Sequence, residues 1–131
     1  MRRLSNEMNL HDSISFKGRV SNKELSGIVA SSWLNVHTAV SEGWGFSILE
    51  ACAAGTPTVA YEVPGVTDAI ENGLNGLKIK GGDRGALTEA ALLILTNPEK
   101  WWSSSLEVAK KYAWDTTASK WEDIMKKISR R

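Results

Sequence analysis

The nine residues Glu42-Gly43-Trp44-Gly45-Phe46-Ser47-Ile48-Leu49-Glu50 decide how the chain reads. Ahead of them, Trp33-Leu34-Asn35-Val36-His37-Thr38 reads as a buried strand. From Phe46 to about Ala54, the residues Ile48, Leu49, Cys52 and Ala53 take the apolar positions of a helix, which Gly55 ends and Pro57 confirms as ended. Strand, glycine loop and helix in that order place the loop beyond the carboxyl end of a strand and at a helix N-terminus, where open α/β sheets bind ligands. Gly43 and Gly45 lack Cβ, so the backbone can bend there and approach a ligand closely. Free amides near Gly45 to Ile48 suit a diphosphate. Glu50, slightly more than one turn into the helix, could accept hydrogen bonds from two vicinal hydroxyls, as on a ribose. Glu42 precedes the loop and could face the other end of the same ligand.

Outward from this stretch, β-prone and helical segments alternate. Upstream, residues 1–12 are polar and read as the frayed end of a helix. Ser13 to Gly18 alternates as a short strand, and Ser21 with Glu24 forms a capping box that opens a helix carrying Leu25, Ile28 and Val29 on one face. Downstream, Thr58 to Tyr61 reads as a strand, Pro64-Gly65 as a turn, Val66 to Glu71 as a turn or two of helix, and Leu77 to Ile79 as a last strand. Asn72-Gly73 and Asn75-Gly76 are turn signals around Leu74. Asp83 to Thr96 keeps helical spacing, Asn97-Pro98 breaks it and starts another helix, and Asp115 or Thr116 is expected to cap a final helix containing Trp121, Ile124, Met125 and Ile128. The alternation implies a Rossmann-like α/β domain over residues 1–131, three-layered, with a small parallel sheet of about four strands.

Composition narrows the function. The chain has 131 residues, 42% hydrophobic and 24% charged, enough for a core of its own. A net charge of +1 gives no global pull on nucleic acid. The single cysteine, Cys52, excludes an internal disulfide and a cysteine-built metal site, and its place on the apolar side of a helix assigns it to the core. No apolar run approaches the ~20 residues of a membrane span, and the basic start lacks the apolar stretch of a secretory signal. The expectation is a cytoplasmic protein. Lys126-Lys127 and Arg130-Arg131 read as a solvated face, with contact to anionic lipid at the cytoplasmic membrane face as the alternative. Of six tryptophans, Trp101, Trp102, Trp114 and Trp121 lie in the last third. They read as helix-packing residues, or in part as residues that face a partner domain.

The same residues resemble the family 4 glycosyltransferases, the retaining enzymes of the two-domain GT-B fold. Their motif, E-G-x-G-x-x-x-L-E-A-x-A-x-G-x-P-x-V, is matched from Glu42 through Val59. The likeness continues in Phe16-Lys17-Gly18-Arg19-Val20, Lys23-Glu24-Leu25, Pro64-Gly65-Val66, Asp68, Asn72-Gly73-Leu74-Asn75-Gly76 and Trp114, so it covers roughly residues 13 to 130. By resemblance, Glu50 holds the ribose of a nucleoside-diphosphate sugar and Glu42 contacts its sugar as the catalytic glutamate, a contact that stabilises positive charge at the anomeric carbon. Gly43 belongs to the same donor loop, Gly45, Phe46 and Ser47 offer amides to the sugar or diphosphate, and Arg19 and Val20 meet the base. The resemblance implies no metal and no cofactor beyond the nucleotide sugar, which is the donor substrate. The family's basic pair, an arginine and a lysine after the first strand of the donor domain, has no counterpart ahead of Ser13, where Arg2 and Arg3 stand in another context. An N-terminal acceptor domain is also absent from this sequence. The chain is therefore expected to be a donor-binding C-terminal half that binds donor weakly and transfers poorly by itself.

Plainer readings stand beside these. Glu50 and Glu42 taken alone are a solvated helix residue and a loop acid. His37 is either a satisfied or surface histidine or a cleft residue near the donor, and Asp68 either caps a short helix or touches the donor. A non-catalytic nucleotide- or sugar-binding module keeps the same fold, as does a sugar epimerase. A Rossmann-type oxidoreductase or methyltransferase is disfavoured, because Phe16-Lys17-Gly18 is followed by Arg19-Val20-Ser21 and not by a glycine-rich turn.

Overall fold

A parallel pair needs a crossover between its strands, and the chain supplies one twice. The computed structural model describes residues 1–129. Along them run α1 (Arg2–Glu7), α2 (Asn22–Ala30), β1 (Asn35–His37), α3 (Phe46–Ala53), β2 (Thr58–Tyr61), α4 (Val66–Ala69), β3 (Gly76–Ile79), α5 (Arg84–Thr96), α6 (Glu99–Lys110) and α7 (Trp114–Ser129). The three strands form one parallel sheet in the order β1-β2-β3, with His37 opposite Ala60 and Ala60 opposite Lys78.

Strand β2 is buried along its whole length, as a central parallel strand must be. Its alternation sends Val59 to one face and Ala60 to the other. Ala60 meets Ile48 of α3 and Val66, Ala69 and Ile70 around α4. Val59 meets Ala90 and Ile94 of α5 and Trp101 of α6, with Leu77 and Ile79 of β3 beside them. Helices thus cover both faces, in the expected three-layer, Rossmann-like arrangement. Each fully buried isoleucine or valine contributes about 1.5–3 kcal/mol. Polar groups between α3, α4 and α6 include paired ones: Asn75 donates to Ala69 O and accepts from Glu71 N, and Cys52 Sγ donates to Ser105 O. Cys52 is buried, and that burial pushes its thiol pKa up.

Several expectations are corrected. Residues 13–18 form no strand, and the sheet has three strands among the described residues. Strand β1 shrinks to three residues, and the segment around it is not buried: Trp33 is 63% exposed and Val36 50%. The reason is position, because β1 lies at the sheet edge, where Leu34 reaches the cluster of α5 and α6 but Val36 is left uncovered. The capping box is half made, Glu24 N donating to Ser21 Oγ. No side chain of α2 is buried. Helix α7 begins at Trp114, so Asp115 and Thr116 lie inside its first turn, and the Thr116 hydroxyl donates to Lys110 O instead of capping. Asp68 caps nothing, since Gly65 is the N-cap of α4 and makes no side-chain bond. Among the four late tryptophans Trp101 alone is buried. Arg130 and Arg131 lie outside the described residues, and no described helix is long and apolar enough to cross a membrane.

Candidate functional site

The loop of residues 38–45 joins the carboxyl end of β1 to the first turn of α3. Gly45 is the N-cap of α3, in the left-handed region at φ 74°. A side-chain-bearing residue there is strained by about 1–2 kcal/mol, and a Cβ would stand 3.1 Å from the Ala69 Cβ. The first α3 amides bonded within the helix are those of Ile48 and Leu49, both to Gly45 O. The amides of Phe46 and Ser47 precede that ladder, at the positive end of the helix.

A second glycine supports the loop from below. Gly65, at φ 86°, comes so close that a Cβ would lie 2.6 Å from Glu42 O and 2.8 Å from Gly43 O. The Pro64-Gly65 turn is therefore the floor on which Glu42 and Gly43 rest. A turn signal was legible at these residues, but nothing in the sequence shows that the turn packs under a loop twenty residues earlier.

Ser47 and Glu50, one turn apart on α3, line a cleft of about 650 Å³ together with Asn22, Leu25 and Ser26 of α2 and Asn35 of β1. Such a volume suits a small ligand. Arg19 and Val20 lie just ahead of Ser21, the N-cap of the helix that forms the opposite wall. The cleft also shows what the sequence reading missed, the polar side chains of Asn22, Ser26 and Asn35. The capping box located the start of α2, but not which of its faces would turn toward α3.

Glu42 is not among the walls of that cleft. Its carboxylate turns back on its own loop, where Gly43 N donates to Oε1 at 3.0 Å. The backbone amides of Gly45, then Gly43 and Trp44, close to the carboxyl hold it below the usual glutamate range; partial desolvation opposes them and the nearby His37 adds a little. Oε2 lies 3.2 Å from His37 Nε2, the two side chains being 27% and 17% exposed. The pair is out of line for a hydrogen bond, so Nε2 is buried without a partner. His37 is thus not a satisfied histidine. The structure joins Ser47 and Glu50 to α2, and joins Glu42 to His37 at the loop above.

On its other side Glu50 borders a second, more apolar hollow of about 580 Å³, whose walls include Trp44, Phe46, Tyr112 and Trp114. Tyr112 fixes one end of it by donating to Asp68 O at 2.8 Å. Phe46 is 68% exposed there. Among the described residues no three His, Cys, Asp or Glu side chains come together to hold a metal ion.

The family model described as glycosyl transferases group 1 matches residues 1–113. D-inositol 3-phosphate glycosyltransferase 2 of Catenulispora acidiphila is 28% identical over 127 residues, which are 95% of this chain and 30% of that protein. Among solved structures, sucrose-phosphate synthase from Thermosynechococcus elongatus superposes with a TM-score of 0.84 at 24% identity, over 98% of this chain and 33% of that one. A pneumococcal O-GlcNAc transferase, solved with UDP and GlcNAc, gives 0.80 at 22% identity, over 99% of this chain and 27% of that one. The chain thus spans about a third of the length of these proteins or less, and its fold is that of the Rossmann-like C-terminal half of GT-B enzymes.

Proposed function

The chain belongs to the group 1 glycosyltransferases, and from that premise we propose that it is the donor-binding half of a retaining enzyme. Its donor is a nucleoside-diphosphate sugar. With an N-terminal acceptor domain, the whole enzyme moves the sugar to an acceptor hydroxyl. The observation that carries this reading is the α2–α3 cleft, where Glu50 and Ser47 stand at a helix N-terminus whose leading amides precede the helical ladder.

In this reading each residue has a physical task. Glu50 accepts hydrogen bonds from the two ribose hydroxyls, a bidentate contact worth more than a neutral pair because the acceptor is charged. The amides of Gly45, Phe46 and Ser47 meet the diphosphate, whose charge the α3 dipole favours. Arg19 and Val20 approach the base from the start of α2. Glu42 faces the sugar, where a carboxylate held ionised stabilises positive charge developing at the anomeric carbon. The group that neutralises the leaving diphosphate comes from outside the cleft walls named here. No metal is needed in this scheme.

Calorimetric titration with UDP, GDP and ADP tests it, UDP first because the pneumococcal neighbour was solved with it. At least one nucleotide should bind, and Glu50→Ala should weaken that binding about tenfold, the loss expected for hydrogen bonds to a charged group. Equal affinity in both proteins removes Glu50 from the site. Donor binding without transfer, once an acceptor half is supplied, would favour the non-catalytic module.

A further inference from the structure

Two facts about Glu42 pull against each other. Its carboxylate turns onto the loop's backbone, accepting from Gly43 N on Oε1 and lying near Gly45 N, an amide that the donor's diphosphate takes in the reading above. Beside it stands a buried imidazole nitrogen with no partner, 3.2 Å from the other oxygen. An unsatisfied buried polar atom costs free energy, and one kept at the end of a strand, where such folds bind ligands, calls for an explanation.

The placement is not accidental to the loop. His37 is the last residue of β1, in register with Ala60 and therefore on the sheet face that α3 and α4 cover. Asn35, two residues earlier on that face, lines the α2–α3 cleft and donates to Thr58 Oγ1. His37 thus continues the cleft's wall upward to the loop. Gly65 holds the backbone of Glu42 and Gly43 from the other side, so the carboxylate can change partners while its backbone stays in place.

We propose that His37 is the positioning residue of Glu42: when a bound donor takes the loop's amide hydrogens, the carboxylate passes to His37 Nε2 and stays aimed at the sugar. The two atoms are already 3.2 Å apart, so a rotation that brings the N–H into line completes that hydrogen bond. The free chain keeps Glu42 parked on the loop amides, and the imidazole keeps it from swinging into solvent once they are claimed. This rests on the donor-binding role proposed above. It adds a residue that the motif does not contain and predicts that sugar recognition, not nucleotide recognition, depends on it.

Calorimetry on the whole chain with UDP and with UDP-GlcNAc, together with nitrogen-15 spectra of the histidine ring, tests the proposal in wild type, His37→Leu and His37→Gln. The gain in affinity that the sugar confers over UDP alone should fall about tenfold in His37→Leu, one charge-assisted hydrogen bond, and return within threefold in His37→Gln, whose amide can donate to the same oxygen. UDP alone should bind all three nearly equally, because only the sugar touches Glu42, and the wild-type His37 Nε2 signal should become that of a hydrogen-bonded N–H once the nucleotide's diphosphate claims the loop amides. An unchanged gain in a folded His37→Leu overturns the proposal. If wild type binds neither ligand, the donor-binding reading fails. That outcome overturns the positioning role as well, since nothing would then claim the loop amides from Glu42.

Discussion

Strand β2 and helix α7 are both well supplied with apolar side chains, and the chain treats them in opposite ways. Val59 and Ala60 of β2 are wholly buried, one on each face of the sheet. Trp121, Ile124, Met125 and Ile128 of α7 fall at helical spacing on one stripe, yet no residue of α7 is buried and Trp121 is 62% exposed. Apolar periodicity announces a face that some surface must cover. It does not say that the surface belongs to the same chain. Between these extremes lies the site, on a helix whose inner side is core and whose outer side forms the cleft: Ile48 is fully buried while Ser47 and Glu50 line the opening.

That contrast can be broken from the core outward. Ile48→Ala deletes a side chain held between Ala60, Val66 and Ala69, and should cost about 2–5 kcal/mol of stability. Thermal denaturation checks it, and a loss below 1 kcal/mol would mean that α3 is not fastened to the sheet as described. Gly65→Ala comes next, at roughly 1–3 kcal/mol for a strained backbone, with the added Cβ driven into Glu42 O and Gly43 O. Its signature is a displaced Gly43 amide signal and weakened donor binding, beyond what the stability loss accounts for.

Much of this was legible in the sequence. The glutamates at 42 and 50 with their glycines place a loop and helix start together, and Gly55-Thr56-Pro57 ends α3 where expected. The helical spacing read from Asp83 to Thr96 is α5, and the structure adds that Asp83 caps it, its carboxylate accepting from Ala86 N. What stayed hidden depends on which segments become neighbours. Ser13 to Gly18 has strand-like alternation but no partner strand to pair with. The Trp33 to Thr38 run looks like a central strand, because edge and centre differ in company and not in composition. His37 and Gly65 are one histidine and one turn glycine until the sheet brings both beneath Glu42.

Smaller effects sharpen the same comparison. Replacing Trp121 and Ile128 of α7 with serine, one at a time, should change the stability of this chain by no more than about 0.5 kcal/mol, far from the cost of Ile48→Ala. A larger loss would show that α7 is packed on the chain itself. Glu42 gives the smallest and most pH-dependent effect. Its folded carboxyl titrates below the usual range, so its contribution to stability is complete above the ordinary glutamate range and is lost as the pH falls through its lowered value. Glu42→Gln should lower stability slightly at neutral pH and converge with wild type in acid, which flattens the acid limb of the stability curve, and urea unfolding between pH 3 and 7 reads this directly.

The claim on which the rest stands is that the space between α2 and α3 is where a nucleotide sits. Amide spectra of the chain titrated with UDP, GDP and ADP measure this residue by residue. The account predicts that one nucleotide displaces the amides of Asn22 to Ser26 and of Gly45 to Glu50 together, and leaves those around Trp33, Gly55 and Trp102, which line a separate hollow, where they were. Displacements confined to that hollow or to the apolar one at Trp44 and Trp114, with α2 and the start of α3 unmoved, would contradict it.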